Sequence, residues 1–252
     1  MGKMRFILVL LVTIAVPGVA SFAAMPNIEM VFVKGGCYQM GDTFGDGASD
    51  EKPVHKVCVN DFYLGTFDVT QAQWQAVMGK NPSNFSACGP DCPVESVSWN
   101  DAQDFIKALS ELTGKKYRLP YEAEWEYAAR SGGRKEKWAG TSDASRLGEY
   151  AWFDKNSKGK THVVGAKKPN GLGIYDMSGN VWEWMQDRYG AVYYGESPID
   201  NPQGPATGPS RVMRGGSWYR SAGFVRAASR YNFEPSGSGS HVGFRLVVPG
   251  IQ

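Results

Sequence analysis

Residues 176–187 read DMSGNVWEWMQD. An Asp-x-x-Gly-Asn turn sits just ahead of two tryptophans that flank a glutamate. Residue chemistry supports two readings. In the first, Asp176 closes an Asx-turn, Glu183 pairs with an arginine, and Trp182 and Trp184 fill the core. In the second, Asp176 and Glu183 offer hard carboxylate oxygens to a calcium ion, and the backbone carbonyls of Gly179 and Val181 add to the set. Calcium takes roughly six to eight oxygens of such mixed origin. Gly179 suits either reading, because a tight turn often needs a residue without a Cβ. Spacing alone favours the first.

Working outward, residues from about 132 to 210 are mostly Gly, Asn, Ser, Pro and aromatics. That composition is too aromatic for disorder and predicts ordered loops. Upstream, MVFVKGG and KVCVNDFYLGTFDV are rich in Val, Phe and Tyr and break at Gly or Asn-Asp, so both predict strands. TQAQWQAVMG predicts a helix opened by Thr70 and Gln73 in capping-box spacing. SWNDAQDFIKALSELTGKK predicts a longer one, with Ala102, Phe105, Ile106, Leu109 and Leu112 on one face and Gly114 as its stop. RLPYEAEWEYAAR puts Pro120 at a first helical position, with Glu122, Glu124 and Glu126 in the opening turns. The helix dipole and surface pairing account for those acids. Two strand-like runs, SRVMRGGSW and HVGFRLVV, close the chain. No internal repeat or linker is visible, so a single domain is expected from residue 24 to 252.

Residues 1–23 have the layout of a secretory signal peptide. A basic MGKMR precedes the apolar FILVLLVTIAV, and small residues, among them Ser21 and Ala23, precede the cut. The apolar run is too short to span a bilayer comfortably and no later segment replaces it, so no membrane span is expected. The chain reads as exported, periplasmic or extracellular. Removal of this segment takes Lys3 and Arg5 from 27 basic residues and none of the 25 acids, leaving a formal charge of zero. Such balance argues against a nucleic-acid partner. The counts of 31 Gly, 14 Pro and 8 Trp point to a turn-rich compact fold rather than a helical bundle. In an exported chain the four cysteines read as two bridges: Cys88–Cys92 around the tight turn GPD, and Cys37–Cys58 across a sheet. A zinc site is the competing reading, disfavoured because neither pair has C-x-x-C spacing.

No catalytic motif stands out. His55, His162 and His241 are the only histidines and are scattered in sequence, so a three-histidine iron site has no motif behind it. No G-x-S-x-G elbow and no phosphate-binding glycine loop is present. Arg211, Arg214, Arg220, Arg226, Arg230 and Arg245 gather among aromatics near the C-terminus, where buried ion pairs explain them better than nucleic-acid contact.

Five ordered blocks carry a resemblance. EKPVHKVCVNDFYLGTFDVTQAQW, CPVESVSWNDAQDFI, YRLPYEAEWEYAAR, PNGLGIYDMSGNVWEW and RVMRGGSW…RAASR…VGFRLV resemble the formylglycine-generating enzyme (sulfatase-modifying factor) family over about residues 28 to 248. The resemblance implies an α+β, C-type-lectin-like fold with much irregular structure. It also shifts the reading of the opening stretch to a structural calcium held by the side chains of Asp176 and Glu183 and the carbonyls of Gly179 and Val181. A second family calcium site would fall in YAWFDKNSKGKTHVVG, where its ligands do not match cleanly. The family's copper-dependent oxidases use two cysteines shortly after the RGGS block. Here that segment reads RGGSWYRSAGFVRAASRYNFEP, without cysteine, so no catalytic residue carries over. Copper(I) is selected by soft thiolates, which nothing in the segment replaces.

The resemblance also spans siderophore-maturing periplasmic relatives and variable binding proteins diversified after the RGGSW block. The expected function is therefore ligand or protein binding without copper–thiolate chemistry, for a ligand the sequence does not name. A periplasmic metal-dependent oxidoreductase acting on a peptide or sulfur substrate is the alternative. The expected ligand face is Trp218, Tyr219, Arg220, Phe224, Tyr231, Phe233 and His241, because aromatics and arginine bury large area while keeping polar contacts.

Overall fold

The computed structural model describes residues 1, 2 and 26–250. The expected export segment, residues 1–23, lies outside the described residues except for its first two.

The two strand-like runs near the start yield four strands: β1 (Met30–Val33), β2 (Gly36–Met40), β3 (His55–Val59) and β4 (Phe62–Gly65). β2 and β3 form an antiparallel hairpin in which Cys37 lies opposite Cys58, and the two are disulfide-bonded. β1 and β4 pair antiparallel and are joined by β9 (Val247–Pro249), which brings the end of the chain onto the first sheet.

The first two of three longer helices sit where the capping and stop signals put them. In α1 (Gln71–Met78), Thr70 accepts from the Gln73 N–H and the Gln73 side chain returns the bond; left-handed Gly79 ends it. In α2 (Trp99–Thr113), Ser98 and Asp101 form the same box and left-handed Gly114 is the stop. Its buried stripe is Ala102, Phe105, Ile106 and Leu109. Leu112 is exposed, because the last turn runs past the edge of the core. Helix α3 (Glu122–Ala129) begins two residues after Pro120, so the proline precedes the helix rather than opening it. Its three glutamates are buried, which overturns the surface-pairing expectation. A short α4 (Leu147–Tyr150) interrupts the loop-rich middle.

The second large sheet has the order β7-β6-β5-β8, with β5 (Trp182–Arg188) and β6 (Arg211–Arg214) at its centre. β6 pairs antiparallel with β7 (Arg230–Phe233), and β5 runs parallel to β8 (Val242–Gly243). The second half of the opening stretch is thus a central strand. It does not alternate polar and apolar, because both faces of Trp182–Met185 are buried. Trp182 and Trp184 pack with Phe105, Phe244 and Leu246 in one core cluster, and Trp125 and Met185 belong to another.

The glutamates of α3 and the arginines of the C-terminal segment hold each other. Glu122 receives Arg230 Nε at 2.7 Å and Nη2 at 2.9 Å, Glu126 pairs with Arg130 and Arg214, and Glu124 pairs with Arg118. Glu51 takes a two-pronged pair from Arg226. Burial alone would push the Glu122 carboxyl up, but the Arg230 and Arg214 guanidinium groups outweigh it and hold the group below its ordinary value.

Candidate functional site

The turn of residues 176–180 is built from residues that tolerate a left-handed backbone. Asp176, Gly179 and Asn180 have φ of 58°, 86° and 63°. At Gly179 any Cβ would overlap the Trp152 carbonyl oxygen, so the close approach of two backbones demands glycine. Asn180 clips the neighbouring loop: its Oδ1 accepts from the His162 N–H at 3.0 Å and its Nδ2 donates to the His162 carbonyl at 3.1 Å. Asp176 Oδ2 accepts the Gly165 N–H at 2.7 Å.

Glu183, on β5, is fully buried and paired as spacing suggested. Arg245 donates to both its oxygens, at 2.6 Å and 2.8 Å, and Trp125 Nε1 donates at 2.7 Å. Asp68 lies on the other side of Arg245, at 3.6 Å. Glu183 and Asp68 thus share one buried guanidinium, Asp176 lies close enough to feel its charge, and Lys167 nearby donates to the Gly148 carbonyl. Both oxygens of Asp68 and Oδ1 of Asp176 are buried without a hydrogen-bond partner. Burial and the nearby Glu183 push Asp68 well above the usual carboxylate range. Burial likewise pushes Asp176 up to about 6, against the pull of the Gly165 N–H. Nothing in the sequence singled out Asp68, which lies more than a hundred residues from its neighbours here.

The residues present are compatible with a calcium ion. Asp176 Oδ1 is free, and Glu183 Oε1 accepts a single hydrogen bond. Among the described residues, the Gly179 and Val181 carbonyls accept no bond from a side chain or from loop backbone. No three His, Cys, Asp or Glu side chains converge on one point among the described residues. A site of two carboxylates and two carbonyls does not require three.

The segment after the RGGS block folds into an aromatic surface. Tyr219, Phe224 and Tyr231 are exposed, and the Arg220 guanidinium carbon lies 4.8, 5.0 and 5.2 Å from their ring centroids. Tyr219 meets the rings of Trp218 at 5.1 Å and His241 at 5.0 Å, edge to face. Trp218 is half-buried, its Nε1 donating to the Ser240 carbonyl. Tyr231 stacks on Trp182 beneath it. Phe233, on the same strand face as Tyr231, stacks on Trp184 and is partly buried against the core. Burial and the Arg220 charge hold His241 below its ordinary value.

The three histidines have separate surroundings. His55 lies against Tyr194, His162 stacks on Trp152 at 3.8 Å, and His241 faces Tyr219. All four cysteines are in disulfides, Cys37–Cys58 and Cys88–Cys92.

This arrangement is that of a known class. The profile described as "Sulfatase-modifying factor enzyme 1-like domain" matches residues 17–249, and the chain belongs to that family. It is 33% identical to the formylglycine-generating enzyme of Streptomyces coelicolor, over 85% of this chain and 87% of that protein. It is 31% identical to the chaperone protein LppX of Paenibacillus barcinonensis, over 97% and 99%. Among solved structures, Treponema denticola variable protein 1 superposes with a TM-score of 0.81 at 34% identity, covering 88% of this chain and 95% of that one. No described helix is long and apolar enough to cross a membrane.

Proposed function

We propose that the protein is an exported binding module, stabilised by calcium, whose ligand face is the surface around Arg220. The observation that carries this is the placement of an arginine, without an acidic partner among the described residues, among three exposed aromatic rings, in the segment where the family's oxidases keep their thiols. Copper–thiolate oxidation needs two reactive cysteines, and the four present are tied in structural bridges. Exposed aromatics beside an arginine are the composition of binding hot spots. The likeness to a variable protein of Treponema denticola supports the same assignment.

Calcium would sit between Asp176 and Glu183, with the Gly179 and Val181 carbonyls. A divalent charge there would offset a buried cluster in which three carboxylates face one guanidinium. It would also give Asp176 Oδ1 a partner.

The face is tested by replacing two of its exposed rings, Tyr219→Ala with Phe224→Ala, and comparing partner capture from an envelope fraction of the source cells. The expected result is loss of specific partners with a nearly unchanged melting curve, because exposed side chains contribute little to stability. Identical partner sets for the variant and the parent would refute the face.

A further inference from the structure

The charge around the aromatic surface says what kind of ligand it fits. This inference rests on the ligand-face reading and gives it a chemical class. Arg220 is the only arginine of the C-terminal cluster that lies among exposed rings. Arg214, Arg226, Arg230 and Arg245 are each matched to a buried acid, and Arg211 lies over Trp99. Among the described residues no carboxylate lies within ion-pair distance of Arg220, and its Nε is buried without a hydrogen-bond partner. Among the described residues the Arg220 guanidinium makes no side-chain hydrogen bond, so a complementary acceptor from outside can pair with its terminal nitrogens.

A second feature adds to the charge. The loop after Phe153 is fastened directly beneath the face: the Asp154 N–H donates to the Arg220 carbonyl at 3.0 Å, and Ser157 Oγ donates to the Trp218 carbonyl at 2.6 Å. That loop carries Lys155, Lys158 and Lys160, all exposed and, among the described residues, none in an ion pair, against the single acid Asp154. A chain with no net charge after export thus concentrates unpaired cations at one place.

We propose that this face takes an acidic polypeptide segment, whose carboxylate pairs with Arg220 while an adjoining aromatic or aliphatic side chain packs on Tyr219 and Phe224. The planar guanidinium, held between rings, presents a fork suited to a carboxylate. The lysines on the neighbouring loop steer further acidic residues. Phe224 is 44% exposed, and an apolar side chain of a polypeptide would pack on it.

The test measures binding of the disulfide-bonded protein, in calcium, to an immobilised random copolymer of glutamate and tyrosine. Polyglutamate, a lysine–tyrosine copolymer and heparin are the other arms. The expected order is glutamate–tyrosine above polyglutamate, with no binding to lysine–tyrosine and with affinity falling as salt rises. Arg220→Gln should weaken glutamate–tyrosine binding about ten-fold, the loss of one hot-spot arginine. Arg220→Lys should fall between, since it keeps the charge and loses the fork. Should Arg220→Gln fail to fold, the exposed triple change Lys155→Gln, Lys158→Gln and Lys160→Gln replaces it and should lower the association rate and flatten the salt dependence. Absence of binding to glutamate–tyrosine, equal binding to lysine–tyrosine, or full affinity in the folded charge variants would overturn the proposal. Heparin bound in a way that Tyr219→Ala with Phe224→Ala removes, with the copolymer ignored, would refute the acidic polypeptide and leave the face standing. Copolymer binding undiminished by that double change would refute the face itself.

Discussion

Glu122→Gln is the sharpest test of what holds the two halves of the fold together. Glu122 is 2% exposed and receives Arg230 at 2.7 Å and 2.9 Å, with Arg214 at 3.6 Å. Glutamine keeps the shape and removes the charge, leaving two buried guanidinium groups with less compensation. Breaking one side of a buried pair costs about 3–5 kcal/mol. For a chain of this size each kcal/mol lowers the melting temperature by roughly 2–4 °C, so the variant should melt about 6–20 °C below the parent. The sign of the pH effect follows from the shift. Because the folded carboxyl lies below its ordinary value of 4.5, its stabilisation is complete above that pH. It is lost as pH falls through the folded value. Calorimetry at pH 7 and at steps down to pH 3, in saturating calcium, should therefore show a full deficit at neutral pH that closes in acid. A deficit below about 1 kcal/mol at pH 7, or one that does not change with pH, would refute the buried-pair account.

Other outcomes follow from the same geometry. Chelation should lower the melting temperature and calcium restore it, by about 2.7 kcal/mol at a hundred-fold excess over Kd; an unchanged curve with no calcium by elemental analysis would remove the ion from the account. With copper supplied, the purified protein should form no aldehyde on a sulfatase-motif cysteine peptide, and turnover above a protein-free control would revive an oxidase. Replacing Cys37 and Cys58 by serine opens a bridge between residues 21 apart and should cost about 3 kcal/mol, read by denaturant unfolding. His162, stacked on Trp152, is held below its ordinary value of 6.5 by burial and by Lys160 and Lys167, so the unfolded chain binds its proton more readily. Stability should fall as pH drops below that value, and His162→Gln should reduce the slope.

Local chemistry was legible in the sequence wherever the partner lies a few residues away. Thr70 with Gln73, Gly114 at the end of α2, and the Cys88–Cys92 turn are all set within one or two turns of chain, so spacing suffices to read them. The pairing of Glu183 with an arginine and the burial of its flanking tryptophans were legible too, although which arginine was not. Five blocks in order were enough to indicate the family.

Only the tertiary structure decided the role of the α3 glutamates, whose partners Arg214 and Arg230 lie 88 and 108 residues away. A buried glutamate and a solvated one look alike in sequence, because burial of charge depends on a partner that the local pattern does not contain. For the same reason Asp68 carries no signal in the sequence, since Arg245 and Asp176 reach it only in the fold, and the burial of both faces of Trp182–Met185 is set by packing from distant segments. The proposed ligand face divides similarly. Its aromatics could be named from sequence, but folding alone stacked Tyr231 and Phe233 on Trp182 and Trp184 and set Arg220 among Tyr219, Phe224 and Tyr231, since side-chain contacts are fixed by the packing of strands far apart in the chain.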